Sequence, residues 1–275
     1  MFTLNCNGRL LVTDKPIVMG IINATPDSFY ADSRFTGEDA TLACAEKMLK
    51  GGASILDIGG QSTRPGSLPI STEEELKRVI GPIQAISRNF PEAFISIDTY
   101  SSTVAKEAVN AGAGIVNDVS AGTLDKEMIT TVAGLKVPYI LMHMQGTPET
   151  MQAEPYYDDV VKEVLDFFIQ KIDRLTRAGI TDIVIDPGFG FGKTISHNFE
   201  LLRNLSVFQV TGKPVLAGIS RKSTIYKTLG ITPEEALNGT TVLNTICLLN
   251  GASILRVHDV NEAVEAIKLY QAYKN

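Results

Sequence analysis

Cysteine, histidine and positive charge are all scarce in this 275-residue chain, and each shortage excludes a class of protein. The three cysteines are widely spaced in apolar surroundings, so we expect neither disulfides nor a cysteine metal cluster. The three histidines do not have the carboxylate spacing of a zinc site. The formal net charge is -6, whereas nucleic-acid-binding proteins concentrate lysine and arginine on one face, so we expect no nucleic-acid partner.

Long apolar runs are missing as well. No stretch approaches the roughly 18 apolar residues of a membrane span, and the start MFTLNCNGRL does not have the basic and apolar regions of a secretory signal. We therefore expect a cytoplasmic protein without a membrane partner. Proline and glycine are scattered and no low-complexity stretch suggests a linker, which predicts one domain over residues 1–275.

What recurs along the chain is a unit of apolar strand, polar loop and amphipathic helix, repeated roughly every 25 to 45 residues. Strands are predicted over residues 17–23, 54–59, 94–99, 114–119, 139–143, 183–187, 215–220 and 254–258. Helices are predicted over residues 39–50, 72–89, 102–111, 126–132, 158–178, 197–205, 233–249 and 260–273. Strands that are apolar on both faces and alternate with helices predict an α/β fold, a closed (β/α)8 TIM barrel.

Two further patterns bear on the fold. The opening FTLNCNGRLLV predicts a short N-terminal β-hairpin around Asn7-Gly8. An open doubly wound sheet is the alternative to the barrel, but it would need a glycine-rich phosphate turn after its first strand, and GIINATPDSF has none.

Polar residues stand where the predicted strands end: Asn23, Asp98, Asn117, His143, Asp186, the run 220–223, and Arg256 with His258. Because the carboxyl ends of barrel strands share one face, and a polar ligand can offset the desolvation of these groups, the pattern predicts an enzyme. Asp98 and Asp186 can accept paired N–H donors from a heterocycle such as an aminopyrimidinone, and Asn117 offers a donor and an acceptor. Each of them alone could instead be a helix cap or a turn residue.

Four cationic or ionisable residues predict a local anion site in this acidic chain: Arg64, Lys222, Arg256 and His258. Lys222 also adjoins a predicted helix start, where free N–H groups favour a carboxylate or phosphate. For any one of the four, a solvated arginine or a core histidine is the alternative.

The glycine-rich segment from Asp186 to Thr194 resembles a phosphate-binding loop without matching one. A Walker loop needs glycine at position 187, which is Pro187, and a dinucleotide fingerprint fails because position 193 is Lys193. Three alternate glycines suggest a backbone that lies close to something flat, with Phe191 exposed by the loop. A connection without chemical purpose is the alternative.

The ordered set of these segments resembles the dihydropteroate synthase family, the folate-pathway enzymes that sulfonamides target. The resemblance rests on GIINATPDSF at 20–29, STRPG at 62–66, Asp98, Asn117-Asp118, the glycine loop after Asp186, SRKS at 220–223 and RVHD at 256–259. One departure is Gln61, where the family commonly has glutamate. The resemblance implies a transferase that condenses 6-hydroxymethyl-7,8-dihydropterin diphosphate with 4-aminobenzoate to give 7,8-dihydropteroate and pyrophosphate.

Site roles are also implied by the resemblance. The pterin contacts it implies are Asp98, Asn117, Met142, Asp186, Gly190 and Lys222. The implied diphosphate contacts are Asn23, Arg64, Arg256 and His258, with Asn23 ligating Mg2+. The implied aminobenzoate contacts are Phe29, Thr63, Pro65, Phe191 and Ser223. The implied catalytic residues are Asp98, Lys222, Asp27 and Arg64, of which Asp98 and Asp27 would stabilise a cation-like pterin methylene.

The family resemblance further implies a homodimer formed through late helices of the barrel. Two rival functions remain open at this point. One is a pterin-binding barrel that transfers the methyl group of methyltetrahydrofolate to a corrinoid protein, which would have no need of a diphosphate site. The other is a pterin-binding barrel without catalytic activity.

Overall fold

The computed structural model of the chain describes residues 1–24, 37–62 and 67–274. Its strands are β1 (Phe2–Cys6), β2 (Arg9–Thr13), β3 (Ile17–Asn23), β4 (Ile55–Gly59), β5 (Phe94–Asp98), β6 (Ile115–Asp118), β7 (Tyr139–Met142), β8 (Ile183–Asp186), β9 (Leu216–Ala217) and β10 (Ile254–Val257). Its α-helices are α1 (Gly37–Lys50), α2 (Thr72–Asn89), α3 (Ser102–Ala111), α4 (Met128–Leu135), α5 (Val160–Arg177), α6 (Ile195–Arg203), α7 (Ser223–Leu229), α8 (Leu237–Leu249) and α9 (Val260–Lys274).

Strands β3 to β10 form one parallel eight-stranded sheet in the order β8, β7, β6, β5, β4, β3, β10, β9. The two ends of this order meet, because Ile185 of β8 pairs with Val215 in a parallel bridge next to β9. The Ile185 N–H also donates to the Pro214 carbonyl at 3.0 Å. The predicted (β/α)8 barrel is confirmed.

The two larger hydrophobic clusters among the described residues lie on opposite faces of the sheet, as expected when successive strand residues point to opposite faces. Outward-facing residues such as Leu56, Ile97 and Val116 pack in a large cluster with the helices. Inward-facing residues near the amino ends of the strands, Ile55 and Ile115 among them, form a separate cluster inside the barrel.

The predicted N-terminal hairpin is confirmed and covers the amino end of the barrel. Strands β1 and β2 pair antiparallel around Asn7-Gly8, and Asn7 has the positive φ of 53° that this turn requires. Leu4, Cys6 and Leu11 of the hairpin pack into the interior cluster of the barrel. The hairpin therefore completes the core at the end opposite to the carboxyl ends of the strands.

The main difference from the predicted elements follows β9. A strand was predicted over 215–220, but β9 covers two residues because the chain then turns, with the Lys222 N–H donating to the Ile219 carbonyl at 3.2 Å. A helix start was predicted beside Lys222 without a range, and α7 begins there at Ser223. The 3₁₀ helix at Leu205–Thr211 was not predicted, and the helix predicted from 233 begins at Leu237. None of the helices in the described ranges has the length and apolar character needed to cross a membrane.

Candidate active site

Strand register brings the predicted strand-end residues together at the carboxyl end of the barrel. Asp98 is opposite Asn117 on β6, and Met142 is opposite Asp186 on β8. All four side chains are buried, with exposed fractions of 8% or less. Because alternate residues point inward, these four project into the mouth of the barrel.

A buried hydrogen-bond network crosses this mouth and is centred on Asp57, a residue that the sequence interpretation missed. Its Oδ2 accepts from Asn117 Nδ2 at 3.0 Å and from Arg256 Nε at 2.6 Å. Arg256 Nη2 donates to Asp98 Oδ2 at 2.6 Å. Asp57 is the one charged residue in the strand ILDIG, and that contrast was the available sequence signal.

The charges in this network are strongly coupled. Burial raises the pKa of Asp98 to about 7, partly opposed by Arg256 and reinforced by Asp57. Burial disfavours the Arg256 guanidinium, but the two carboxylates raise its pKa above the usual range, so it stays charged.

Two buried carboxylate oxygens in this network are left without a partner. Asp57 Oδ1 and Asp98 Oδ1 accept no hydrogen bond from the described residues. A buried acceptor without a donor is costly, and a ligand that donates an N–H would remove that cost. The mouth of the barrel therefore offers unfilled acceptors to a ligand.

A second charged pair, Asp186 and Lys222, lies across the mouth beside Gly218. A side chain at Gly218 would contact both, because its Cβ would lie 3.6 Å from Asp186 Oδ2 and 3.8 Å from Lys222 Nζ. Burial raises the pKa of Asp186, opposed by Lys222 and by the Gly188 N–H that donates to its Oδ1 at 2.8 Å. Burial lowers the pKa of Lys222 to about 8, opposed by Asp186.

The glycine loop, residues 187–193, covers this pair. Lys222 Nζ donates to the Phe189 carbonyl at 2.6 Å and lies 4.5 Å from the centre of the Phe191 ring, a cation–π distance. A Cβ at Gly190 would lie in van der Waals contact with Lys222, 3.4 Å from its Cδ. The predicted pterin contacts Gly190 and Lys222 are thus neighbours.

The expectation that Phe191 is exposed is wrong. Its exposed fraction is 9%, because the ring packs with Val119, Met142 and Met151 at the rim of the barrel. Burial of the aromatic ring against these apolar side chains has a more favourable free energy than its exposure to solvent. Phe191 therefore forms part of the wall beside Lys222.

The remaining predicted residues within the described ranges lie at the outer edge of the mouth. Asn23 and His258 are exposed at the ends of the neighbouring strands β3 and β10. Ser220 Oγ lies 3.0 Å from His258 Nδ1 and accepts from the His258 N–H at 3.2 Å. Ser223 is the first residue of α7 and is half-buried. The predicted site residues Asp27, Phe29, Thr63, Arg64 and Pro65 lie outside the described residues.

Two charged neighbours of these residues face away from the mouth. Asp118, next to Asn117, accepts from the Tyr139 hydroxyl at 2.6 Å and from two backbone N–H groups of its own turn. Arg221, next to Lys222, forms a bidentate pair with Asp259 at 2.8 Å for each contact. Both side chains therefore make their contacts outside the barrel mouth.

Gln61, the departure from the family pattern, lies at the start of the loop that follows β4. Its Nε2 donates to the Tyr100 hydroxyl, and its Oε1 accepts from the Ile70 N–H at 3.5 Å. A glutamate could accept at both places but could not donate. With glutamine at this position, Gln61 supplies the proton of the hydrogen bond to Tyr100, whereas with glutamate the tyrosine hydroxyl would supply it. The hydrogen bonds to Tyr100 and Ile70 can form in both cases.

Comparison with known proteins gives one consistent result. Residues 19–258 match the family model described as pterin binding enzyme. The dihydropteroate synthase of Escherichia coli K12 is 44% identical over 98% of this chain and 95% of its own length. The Yersinia pestis dihydropteroate synthase in a sulfonamide drug complex superimposes with a TM-score of 0.94 at 40% identity, covering 99% of each chain.

A third relative has been solved with two of its ligands. The Xanthomonas albilineans dihydropteroate synthase with 4-aminobenzoic acid has a TM-score of 0.93 at 42% identity, covering 99% of this chain and 98% of that one. The same enzyme in complex with 7,8-dihydropteroate has a TM-score of 0.89 at 40% identity, with the same coverage. As its motifs predict, the chain belongs to the dihydropteroate synthase family.

Proposed function

We propose that this chain is a transferase that condenses 6-hydroxymethyl-7,8-dihydropterin diphosphate with 4-aminobenzoate, giving 7,8-dihydropteroate and pyrophosphate. The observation that carries the proposal is the unpartnered Asp98 Oδ1 in a buried, polar barrel mouth. The Xanthomonas relative supports it, since its structures contain 4-aminobenzoic acid and 7,8-dihydropteroate.

Pterin recognition follows from the donors and acceptors at this mouth. An aminopyrimidinone ring presents adjacent N–H donors and acceptors, and the buried carboxylates of Asp98 and Asp186 are acceptors when ionised. Asn117 can donate or accept, and the ammonium of Lys222 can donate to a ring nitrogen or oxygen. Met142 and Gly190 would line the flat faces of the ring.

The diphosphate would lie at the outer edge, where Asn23 and His258 are exposed on neighbouring strands. Arg64 is proposed to join them. Arg256 is proposed to contribute its positive charge while its guanidinium stays paired with Asp57 and Asp98.

The residues present fit a Mg2+ that arrives with the substrate. The described residues contain no group of three or more acidic, histidine or cysteine side chains arranged to hold a metal. Mg2+ keeps several waters and commonly binds through one or two protein oxygens plus substrate phosphates, a role open to the amide oxygen of Asn23. When bound, Mg2+ neutralises charge on the departing diphosphate.

The chemistry needs charge stabilisation more than acid–base groups. The bond between the pterin methylene carbon and the diphosphate oxygen breaks, the amine nitrogen of 4-aminobenzoate bonds to that carbon, and an amine proton leaves to solvent. An ionised Asp98, joined by Asp27, would stabilise the positive charge that develops on the methylene. Lys222 would keep the pterin ring in position during this step.

The aminobenzoate is proposed to bind above the pterin. Phe191 would contact its ring together with Phe29, Thr63 and Pro65, and Ser223 at the start of α7 would receive its carboxylate. The position of Phe191 beside the Lys222 ammonium supports a boundary between the two subsites at this point.

A pyrophosphate-release assay tests the function. We expect release that requires pterin diphosphate, 4-aminobenzoate and Mg2+, with dihydropteroate formed in equal amount. Methyl transfer from methyltetrahydrofolate to a corrinoid without pyrophosphate release would favour the rival methyltransferase. Pterin binding without turnover would favour a non-catalytic barrel.

We also propose a homodimer and a cytoplasmic location. Val242 and Leu249 of α8 and Leu269 of α9 are large apolar side chains with exposed fractions of 50% or more on two helices that contact each other, and a second copy of the chain would remove them from water. Sedimentation velocity should give twice the monomer mass, and charged substitutions at Val242 and Leu269 should halve it.

All three cysteines are free thiols, as expected in a reducing compartment.

A further inference from the structure

Lys193 is a fully buried lysine at the end of the glycine loop, with an exposed fraction of 2%. Its Nζ lies 2.9 Å from His143 Nδ1 and donates to the carbonyls of Phe191, Gly188 and His143 at 3.0, 3.1 and 3.3 Å. Burial lowers the pKa of His143 to about 2, so the imidazole is neutral and its Nδ1 accepts. All four partners of the ammonium are therefore neutral acceptors.

Such a group is costly to keep. Transfer of an ammonium from water into the interior is unfavourable unless hydrogen bonds or an opposite charge compensate it. Burial lowers the pKa of Lys193 to about 7, with Asp186 opposing the shift. A methionine would fill the same space without the cost of desolvating an ammonium. Packing alone therefore does not explain why a lysine is present at this position.

The loop that Lys193 holds is in direct backbone contact with the loop after β7. A Cβ at Gly188 would lie 2.0 Å from the His143 carbonyl oxygen, and a Cβ at Gly192 would lie 2.4 Å from the Gln145 carbonyl oxygen. Both glycines have positive φ, 70° and 62°. The approach of two carbonyl-rich loops leaves acceptors that need a donor between them, and Lys193 supplies it.

This arrangement leads to Lys222 by a short chain of contacts. Lys193 binds the carbonyls of Gly188 and Phe191, which flank Phe189 and Gly190. The Phe189 carbonyl accepts from Lys222 Nζ, and the Phe191 ring lies beneath the same ammonium. The position of Lys222 in the barrel mouth thus depends on a loop segment whose two ends Lys193 fixes.

We propose that Lys193 is a positioning residue for the pterin subsite: its buried ammonium fixes the glycine loop so that the Phe189 carbonyl and the Phe191 ring hold Lys222 toward the pterin. This role rests on the proposed function and adds to it a group that does not touch the substrate.

The test compares Lys193→Met, which keeps length and removes all donors, with Lys171→Met as a matched control. Lys171 is a partly buried lysine that likewise donates to a loop carbonyl, that of Ala121 at 2.8 Å, but in the loop after β6 and not in the glycine loop. Calorimetry with pterin diphosphate gives Kd, and steady-state kinetics gives KM and kcat for each substrate.

We expect Lys193→Met to raise the pterin Kd about tenfold. This is the effect of losing one well-placed hydrogen bond to a charged group, here the bond between the pterin and a displaced Lys222. The KM for pterin diphosphate should rise in parallel, whereas Lys171→Met should change both by less than about twofold, as a stability change alone would. Normal pterin affinity in folded Lys193→Met, with active wild type, overturns the positioning role and leaves the proposed function intact. Absence of pyrophosphate release by the wild type overturns both.

A double-mutant cycle separates action through Lys222 from general loosening. In a Lys222→Met background, Lys193→Met should cost less than about twofold in Kd, because coupled residues are not additive. An undiminished loss in that background contradicts the proposal. If Lys193→Met does not fold, Lys193→Gln, which keeps one donating group, should still weaken pterin binding. Unchanged binding by Lys193→Gln counts against the proposal in the same way.

Discussion

At the scale of single residues, the site depends on how a few buried charges are shared. Arg256 has two carboxylate partners, and one oxygen of Asp57, Oδ2, accepts hydrogen bonds from both Arg256 and Asn117. Removing one partner of a buried charge is more damaging than the mean strength of a hydrogen bond suggests, because the other group stays desolvated. Asp57 should therefore matter for binding although it lies below the surface of the mouth.

Asp57→Asn is expected to weaken pterin binding by about tenfold or more, since Arg256 loses charge compensation of roughly 1.5–3 kcal/mol and Asn117 loses its charged acceptor. Asp118→Asn is the matched control, because Asp118 is equally buried but faces the Tyr139 hydroxyl outside the barrel. It should lower the free energy of unfolding and leave the pterin Kd unchanged. Equal pterin affinity in the two variants would contradict the role given to Asp57.

The pH dependence of pterin binding should have two limbs. The acceptor form of Asp98 is the carboxylate, which predominates above its pKa of about 7, and the donor form of Lys222 is the ammonium, which predominates below its pKa of about 8. Affinity should therefore rise as Asp98 ionises, and it should fall at higher pH as Lys193 and Lys222, with pKa values of about 7 and about 8, lose their protons. Calorimetry with a pterin ligand that has no phosphate avoids titration of the diphosphate. Asp98→Asn should remove the acid limb, and an unchanged acid limb would assign it to another group.

At the residue level, the sequence predicted where a side chain lies in cases in which its position along a strand carried the signal. Asp98 and Asp186 end apolar strands and Asn117 is the last residue but one of β6, so the barrel topology determined where they lie. Asp57 was missed because it lies inside a strand, and Lys193 because the motif comparison used it only as a mismatch. The roles proposed for Asp57 and Lys193 depend on partners on other elements, which a linear pattern does not contain.

At the scale of elements, the glycine loop is specified by close backbone contact as well as by turn geometry. Gly188 has a φ of 70° and lies against the His143 carbonyl. Gly179, after α5, has a φ of 92° but has no atom within 4 Å of its Cβ position. Substitutions at these two glycines therefore distinguish the free-energy cost of a side chain in left-handed backbone from the additional cost of a steric clash.

Gly179→Ala should lower the free energy of unfolding by about 1–2 kcal/mol, the cost of an L residue in left-handed backbone. Gly188→Ala should cost about 2 kcal/mol more, because the loop must also move away from His143. Pterin affinity should fall in the second variant alone, since Asp186 accepts from the Gly188 N–H. Chemical denaturation and calorimetry measure the two effects, and similar unfolding free energies for both variants would show that the loop relaxes without cost.

Elements were predicted best where local signals mark their ends. Helices α2 and α3 match their predicted ranges, and Ser71 and Ser101 cap them by accepting from the backbone N–H three residues on. Around β9 the prediction failed because Arg221 adopts a left-handed conformation, with a φ of 54°, and turns the chain into α7. That conformation is held by the pair with Asp259, a tertiary contact across 38 residues.

At the scale of the whole molecule, the barrel separates stability from chemistry by its two ends. The carboxyl end carries charges whose burial is unfavourable, and the amino end carries the interior cluster that the hairpin completes. This division is expected of TIM barrels, in which residues at the carboxyl ends of the strands act on substrate and those at the other end stabilise the fold.

Leu4→Ala tests this division, with Leu10→Ala as its control on the same hairpin. Leu4 has an exposed fraction of 2% and packs against the barrel interior, whereas Leu10 has an exposed fraction of 63%. Leu4→Ala should lower the free energy of unfolding by about 2–5 kcal/mol, and Leu10→Ala should change it by less than about 0.5 kcal/mol. Both folded variants should keep wild-type KM values for pterin diphosphate and 4-aminobenzoate, because neither residue reaches the carboxyl end. A raised KM in Leu4→Ala would mean that the two ends of the barrel are coupled through the interior cluster.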